Sequence, residues 1–158
     1  MSEVVICRAE EQDIEEVNVI RKQVNDMHVK GEPLIFKPGF GEKMQNFIKT
    51  FLVEENKVLL VAKDEGKVVG YAALEIIEKE ETDYRYALRF LEVGELGVLD
   101  GVRQKGVGGL LMEEVKRVAK EFDINEVQLN MWSFNTGALE FYEKIGYETY
   151  RRHLRIRV

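Results

Sequence analysis

The fold of this chain is decided by residues 95–109, which read ELGVLDGVRQKGVGG. Alternating residues open the stretch as a strand, and its glycines precede a long amphipathic run that begins at Leu110. A strand that enters a helix through such a turn points free backbone N–H groups, and the positive end of the helix dipole, at one spot. Since the turn also carries Arg103 and Lys105, it predicts an anion site suited to a phosphate.

Two common phosphate-binding motifs do not fit this turn. A Walker A loop needs Lys and then Ser or Thr after its last glycine, whereas Gly106 is followed by Val107. The dinucleotide fingerprint needs a third glycine three positions after the second, whereas Gly108 is followed by Gly109, Leu110 and Leu111. A nucleotide-binding α/β domain is therefore disfavoured.

The strand before the turn changes its periodicity at Gly94. Before it the apolar residues are Leu91 and Val93, at odd positions, and after it they are Leu96 and Val98, at even positions. A strand can keep one face buried through such a change only if one extra residue is inserted. The pattern therefore predicts a β-bulge at Gly94.

The predicted bulge has a chemical consequence for two acidic residues. Glu92 and Glu95 would point to opposite faces of a regular strand, but a bulge between them brings them onto one face. A bulge also splays the strand from its neighbour, which leaves backbone groups free to bind a ligand. The sequence therefore predicts two carboxylates beside an open strand edge.

The rest of the chain alternates between strand and helix patterns. Strands are predicted at 4–8, 58–63, 68–74, 84–99, 126–132 and 147–158. Helices are predicted from 12 or 13 to about 30, over the apolar run 44–52, from 110 onward, and from an N-cap at Asn135 to Gly146. This order predicts an α+β fold, in which about four helices flank a central mixed, largely antiparallel sheet.

Length and composition bound the class of protein. With 158 residues, 45% hydrophobic and 33% charged, we expect one globular domain over 1–158. No apolar run is long enough for a membrane span, and the first residues lack the features of a signal peptide. The single cysteine, Cys7, suits a cytoplasmic protein. A net charge of -6 argues against nucleic acid as a partner, and the two histidines show no metal-ligand spacing.

Two segments carry a resemblance to a known family. Residues 103–108 (RQKGVG) resemble the R/Q-x-x-G-x-G/A turn that binds the pyrophosphate of acyl-CoA in the GNAT superfamily of N-acetyltransferases. Residues 135–147 (NTGALEFYEKIGY) resemble the second signature, N-x-x-A-x-x-F-Y-x-x-x-G-F/Y, at the spacing typical of the family. One departure is Asp100, which stands where the family often has proline. The resemblance implies the GNAT fold, with the bulged strand near Gly94.

The resemblance also implies a cofactor site. Acetyl-CoA would lie between the bulged strand and the strand at 126–132, with its pantetheine arm along the backbone of Leu96, Gly97 and Val98. Its pyrophosphate would take backbone N–H groups from the run Gln104, Lys105, Gly106, Val107, Gly108 and Gly109, with charge from Arg103 and Lys105. Asn135 is expected to reach the pantetheine, and no metal is expected.

The resemblance assigns the chemistry only in part. Tyr142 would be the general acid that protonates the leaving thiolate, and a free backbone N–H near Val98 would polarise the thioester carbonyl. Glu95 is the first candidate for the base that accepts the amine proton through water, and Glu92 is the second candidate. Alternatively, these carboxylates only attract a cationic acceptor. With no cysteine near the site, transfer would be direct in a ternary complex.

The sequence leaves several interpretations of the function, the acceptor and the oligomeric state open. The chain could instead be a non-catalytic acyl-CoA sensor or interaction module, which would need the turn but neither Tyr142 nor a base. The acceptor could be a small amine, a lysine or a protein N-terminus, because residues 29–41 and 79–90 match no subfamily. No membrane partner is expected, and a homodimer stays open by resemblance alone.

Overall fold

The computed structural model describes residues 3–102 and 105–158. Its strands are β1 (Val5–Arg8), β2 (Lys57–Asp64), β3 (Lys67–Lys79), β4 (Leu88–Val98) and β5 (Val127–Leu129). Its helices are α1 (Ile14–Gly31), entered through a 3-10 turn at Glu11–Asp13, α2 (Glu42–Phe47), α3 (Thr50–Val53), α4 (Val107–Glu121) and α5 (Thr136–Lys144).

The five strands form one sheet in the order β1-β2-β3-β4-β5. Neighbouring strands are antiparallel except β4 and β5, which are parallel and joined through α4. The β2–β3 hairpin turns at Glu65 (φ 50°) and Gly66 (φ 83°), two left-handed residues of the kind that a tight hairpin favours. The predicted mixed, largely antiparallel sheet is confirmed.

The β-bulge predicted at Gly94 is present. On β3, Ala73 faces Glu95 and Leu74 faces Val93, so Gly94 is the extra residue on β4. Below the bulge, Glu92 faces Glu75 on the neighbouring strand. Residues 73 and 75 share one face of β3, and residues paired across a ladder point the same way. Glu92 and Glu95 are therefore on the same face of the sheet, as predicted.

Each face of the sheet carries its own core. On one face α1, with Val17 and Ile20, packs over Val61 and Tyr71 together with Phe51 of α3. The other face is covered by α4 and α5. The buried residues of that second cluster include Leu60, Leu74, Leu91, Leu111, Met112 and Val115. The bulged strand therefore lies between two apolar layers, which hold both of its faces in place.

Gly97 on β4 lies where α1 approaches the sheet most closely. A Cβ atom at Gly97 would lie 2.7 Å from Tyr71 Cε1 and 2.8 Å from Ile20 Cγ2. We expect Gly97→Ala to lower the free energy of unfolding by about 2 kcal/mol, because overpacking forces neighbours out of their rotamers. Gly94→Ala is the matched control in urea unfolding, since its Cβ would make only an ordinary 3.6 Å contact. Equal midpoints for the two variants would contradict this interpretation.

The helix predicted over the run 44–52 is divided into α2 and α3. Lys49 N–H donates to Asn46 O (3.1 Å), which tightens the chain into a turn after Phe47. The Thr50 hydroxyl also donates to Phe47 O (2.8 Å), so a side chain takes an acceptor that a continuous helix would use. The predicted apolar face survives the break, because Ile48 and Phe51 are both buried.

The strand predicted at 147–158 is wrong, since these residues form no regular element. Leu154 and Ile156 are 85% and 86% exposed. A strand needs a neighbour to bond its backbone groups, and none of the strands in the described part of the chain pairs with this segment. It is instead held near the end of α1, where Arg155 Nη2 donates to Glu32 Oε1 (2.8 Å).

Two features are absent from the described residues. Among them, no helix combines the length and apolar character that a membrane crossing needs. Within the same ranges, no three His, Cys, Asp or Glu side chains are grouped so that they could hold a metal ion.

Candidate active site

The sheet opens between β4 and β5. The two strands pair only from Leu91 to Val93, opposite Val127 to Leu129. Strand β4 then continues to Val98, paired with β3 but not with β5. Leu99 N–H donates to Val69 O (2.8 Å), toward β3. Since successive residues direct their backbone groups to opposite edges, those of Val98 point into the opening. The bulge thus leads into a cleft with one open strand edge.

Gln23 of α1 closes one end of this cleft. Its Nε2 donates to Val98 O (3.0 Å), and its Oε1 accepts from Asp100 N–H (2.9 Å). One amide side chain therefore fixes the path of the chain as it leaves β4. Sequence reasoning missed Gln23, because a helical pattern does not indicate which distant residues a polar side chain contacts.

The glycine turn follows β4 and leads into α4. Gly106 adopts a left-handed conformation (φ 73°) as the N-cap of α4, and the first helical bond runs from Leu110 N–H to Gly106 O (3.1 Å). The N–H groups of Val107, Gly108 and Gly109 therefore have no acceptor within the helix. Such groups at the start of a helix attract an anion.

The side chains proposed for the phosphate turn are only partly described. Arg103 and Gln104 lie outside the described residues. Lys105 Nζ donates to Asp64 Oδ2 (2.7 Å), and its own N–H donates to Val102 O (3.1 Å). Lys105 therefore keeps a half-exposed charge at the turn, but its backbone donor is used locally.

Asn135 and Tyr142 both belong to α5. Asn135 caps the helix as predicted, since its Oδ1 accepts from Ala138 N–H (3.2 Å). The Tyr142 ring packs against Phe141 and Tyr147, at 5.2 and 5.7 Å between ring centroids. Burial, together with Tyr147, raises the pKa of Tyr142 to about 12. No hydrogen bond joins its hydroxyl to the residues that the structure describes.

Glu95 is held on the face of the sheet that α1 covers. The Arg21 guanidinium donates to both carboxylate oxygens, Nε to Oε2 (2.8 Å) and Nη2 to Oε1 (3.1 Å). The Tyr71 hydroxyl donates to Oε2 (2.9 Å) as well. Burial raises the pKa of Tyr71, so it stays a donor. The structure therefore fixes this carboxylate in one orientation.

Glu92 shares that face but has a different environment. It is half-buried, opposite Glu75 on β3 and Gln128 on β5. In the part of the chain that the structure describes, its carboxylate has no hydrogen-bonding or ion-pair partner. The two carboxylates that the sequence could not separate thus differ: one is clamped and the other is not.

Arg21 is the main residue of the candidate site that sequence reasoning missed. It is 7% exposed, and Nη1 also donates to Met44 O (2.6 Å) and Asn18 Oδ1 (3.0 Å). The signal was available, because Arg21 directly follows Ile20 on the apolar stripe of α1. A charged residue on a buried helical face needs a buried partner.

An aromatic wall, defined as His28, Phe36, Trp132 and Phe134, stands beside the cleft. The His28 ring stacks on Phe36 (5.0 Å) and meets Phe134 edge-on (6.0 Å), and Phe36 meets Trp132 edge-on (5.2 Å). Burial lowers the pKa of His28, an effect that the charge of Glu95 opposes. The wall joins the end of α1 to the loop between β5 and α5.

Comparisons with known sequences agree with this geometry. A family model described as "Acetyltransferase (GNAT) family" matches residues 23–147. An uncharacterized N-acetyltransferase from Chlorobaculum tepidum is 30% identical over 97 residues, which are 61% of this chain and 54% of that protein. One from Mycobacterium tuberculosis is 29% identical over 98 residues, 62% and 57% of the two chains. The chain thus spans about half the length of the curated relatives it matches.

Solved structures share the fold over nearly the whole chain. A mutant protein from Bacillus halodurans superposes with a TM-score of 0.93 at 22% identity, over 98% of this chain and 99% of that one. Aminoglycoside N-acetyltransferase AAC(6')-Iy, solved in complex with CoA, superposes with a TM-score of 0.80 at 19% identity, over 100% and 96%. At such identities the similarity establishes the fold.

Proposed function

Because the chain belongs to the GNAT acetyltransferase family, we propose that it transfers an acetyl group from acetyl-CoA to a primary amine within a ternary complex. The meeting of three elements at Gly108 carries this proposal. A Cβ atom on Gly108 would lie 3.3 Å from Phe141 Cζ and 3.9 Å from Val98 Cγ2. The open edge of β4, the first N–H groups of α4 and the helix of Tyr142 therefore share one corner. Residues 1–158 would act as one such domain.

The open edge of β4 would bind the pantetheine arm. The backbone groups of Leu96 and the N–H of Val98 are available for amide-to-amide hydrogen bonds, like those of an added strand. Gly97 between them would contribute by letting the strand lie close to α1. Among the described residues, the Nδ2 of Asn135 makes no hydrogen bond while Oδ1 caps α5, so this amide is the proposed donor from the other side of the cleft.

The start of α4 would bind the pyrophosphate. The N–H groups of Val107, Gly108 and Gly109 are unbonded within the helix, and Gly106 permits the left-handed turn that aims them. Lys105 would add charge from the rim, as would Arg103 by resemblance, and Gln104 would add a backbone N–H group by the same resemblance. Together these groups provide several donors and a cation for a doubly charged ligand.

The proposed reaction forms a C–N bond and breaks the C–S bond of the thioester. The backbone N–H of Val98 would donate to the thioester oxygen as negative charge develops there. Tyr142 would give its proton to the departing sulfur. Because the pKa of Tyr142 is about 12, the hydroxyl holds that proton at neutral pH. The products are the acetylated amine and CoA with a free thiol.

The amine must lose a proton before or during attack, and Glu95 is the proposed acceptor. A carboxylate offers about four acceptor positions, and three donors from Arg21 and Tyr71 fill most of them at Glu95. The remaining position could bind a water or the ammonium group itself. Glu92 is the second candidate, and attraction of the cationic acceptor is the alternative role for both.

The same site without catalysis would be an acyl-CoA sensor or interaction module. Both functions need the α4 N-terminus, but only an enzyme needs an unengaged buried phenol near the cleft. The unbonded hydroxyl of Tyr142 therefore favours the enzyme. Thiol release from acetyl-CoA in the presence of amines separates the two functions directly.

Calorimetry with CoA tests the phosphate site through Gly109. A Cβ atom at Gly109 would meet nothing within 4 Å, so Gly109→Glu adds a negative charge without a clash. We expect this variant to weaken CoA binding at least about tenfold, because the introduced carboxylate repels the negatively charged pyrophosphate at the start of α4. Gly41→Glu is the matched control, with the same charge change in open space. Equal binding by both variants, or no binding by the wild type, would overturn the proposed site.

A further inference from the structure

The aromatic wall is built from two segments that the fold brings together beside the cleft. His28 and Phe36 come from the end of α1 and the loop after it, and Trp132 and Phe134 come from the loop after β5. The packing is close, since a Cβ atom at Gly31 would lie 2.6 Å from the Phe134 ring. The wall is therefore a fixed surface rather than four independent side chains.

The wall continues into apolar surface that solvent reaches. Trp132 is 38% exposed, and Leu34 and Ile35, which precede Phe36, are 77% and 48% exposed. Exposed apolar residues that cluster at the rim of a cleft mark a binding surface. The nearest acidic residue on this loop, Glu32, is already paired with Arg155.

The wall lies next to the groups proposed to carry the chemistry. Phe134 directly precedes Asn135, the N-cap of the helix that bears Tyr142. On the other side, His28 is close enough to Glu95 for the carboxylate charge to raise its pKa against the larger effect of burial. A ligand on the wall would therefore have at one end a carboxylate that Arg21 and Tyr71 hold in one orientation.

The surroundings of that charge are also aromatic. The Arg21 guanidinium, which clamps Glu95, lies 5.4 Å from the centre of the Phe40 ring and 5.8 Å from that of Phe47. A polyhydroxylated polyamine needs several carboxylates and hydrogen-bonding groups. The wall offers only the His28 imidazole and the Trp132 indole N–H as polar groups, so it suits a ligand with a single cationic end.

We propose that the acceptor is a small arylalkylamine, a primary amine on a short chain from an aromatic ring. Its ring would stack on Trp132 and Phe36, and its ammonium group would face Glu95. This proposal rests on the acetyltransferase function proposed above. It names a class different from the aminoglycosides that the name of one structural neighbour specifies.

The test compares an aromatic monoamine with an aliphatic monoamine, a polyamine and a peptide amine. Thiol release is measured at a fixed acetyl-CoA concentration with 2-phenylethylamine, propylamine, neamine and a dipeptide amide that contains phenylalanine. We expect kcat/KM for 2-phenylethylamine to exceed that for propylamine and neamine at least about tenfold, because a buried ring adds apolar contact. Higher kcat/KM for neamine, or a tenfold preference for the peptide, would overturn the assignment.

Variants locate the preference on the wall. Trp132→Ala should lower kcat/KM for 2-phenylethylamine about tenfold, change that for propylamine less than about twofold, and leave calorimetric acetyl-CoA binding unaltered. Tyr84→Ala is the control, since Tyr84 is an 86% exposed aromatic residue in another loop. Phe36→Leu serves as a second variant. Equal loss for both amines would overturn the inference.

The two proposals fail in different ways. Binding of acetyl-CoA with transfer that prefers polar amines overturns the arylalkylamine acceptor alone. Binding of acetyl-CoA with no transfer to any amine in the panel favours the acyl-CoA sensor and overturns both proposals. Failure to bind acetyl-CoA by folded protein overturns the proposed function, and the acceptor assignment with it.

Discussion

Replacing Tyr142 with phenylalanine is expected to lower kcat by about 10²-fold or more, with the Kd for acetyl-CoA changed less than about twofold. The ring and its packing against Phe141 stay, and only the hydroxyl is lost. A group that acts in the transition state alone affects kcat and kcat/KM equally. Steady-state thiol release and calorimetry on one preparation measure the two quantities.

Tyr147→Phe is the matched control for this prediction. The ring centroid of Tyr147 lies 5.7 Å from that of Tyr142, and burial also raises the pKa of Tyr147 to about 12. Its removal should change kcat less than about threefold, since we propose no proton transfer from it. Unchanged kcat in Tyr142→Phe would mean that water, and not Tyr142, protonates the thiolate.

The pKa of Tyr142 also sets an expected pH dependence. An acid donates only while it holds its proton, and a pKa of about 12 keeps Tyr142 protonated well above neutral pH. Tyr142 should therefore cause no loss of kcat between about pH 7 and pH 10. A fall in that range that Tyr142→Phe abolishes would contradict the assignment.

Replacing Arg21 with methionine is expected to lower the free energy of unfolding by about 3 kcal/mol, measured by urea unfolding. Arg21 is 7% exposed and donates to Glu95, Asn18 and Met44. Its loss leaves the Glu95 carboxylate in an apolar region with one remaining donor, Tyr71. Lys22→Met is the control, because the neighbouring Lys22–Asp26 pair is exposed and worth well under about 1 kcal/mol.

A double-mutant cycle separates the pair from its surroundings. Because each single variant strands one partner, Arg21→Met with Glu95→Gln should cost less than the sum of the single changes by at least about 1 kcal/mol. Additivity within about 0.5 kcal/mol would show that the pair contributes no coupling. Rates of Glu95→Gln, compared with Glu92→Gln, also test the proposed proton acceptor: only the true acceptor's variant should lose kcat/KM for the amine.

Local sequence patterns were sufficient where the structure depends on neighbours along the chain. The bulge at Gly94 follows from a change of apolar parity, which has one structural solution in a strand buried on both faces. The cap at Asn135 and the left-handed Gly146 (φ 104°) likewise depend on a few adjacent residues. These features needed no knowledge of the tertiary structure.

Features that depend on distant residues could not be predicted. Arg21 and Glu95 are 74 positions apart, and the local sequence around either residue does not indicate that it contacts the other. The aromatic wall requires two loops to meet, and loop conformations follow from the elements that they connect. The segment 147–158 shows the opposite error, because its alternation was that of a strand but the described sheet gives it no neighbour.

The strand order has a consequence for assembly. Because β2, β3 and β4 are consecutive antiparallel neighbours, their pairing closes only short loops, whereas β5 must return through α4 to pair in parallel. Amide hydrogens should therefore exchange slowest in β2–β4 and fastest in β5 and α5. A ligand that bridges β4 and α5 would slow the exchange of that second part. The portion of the molecule that we expect to fold last is then the portion that the proposed ligand would complete.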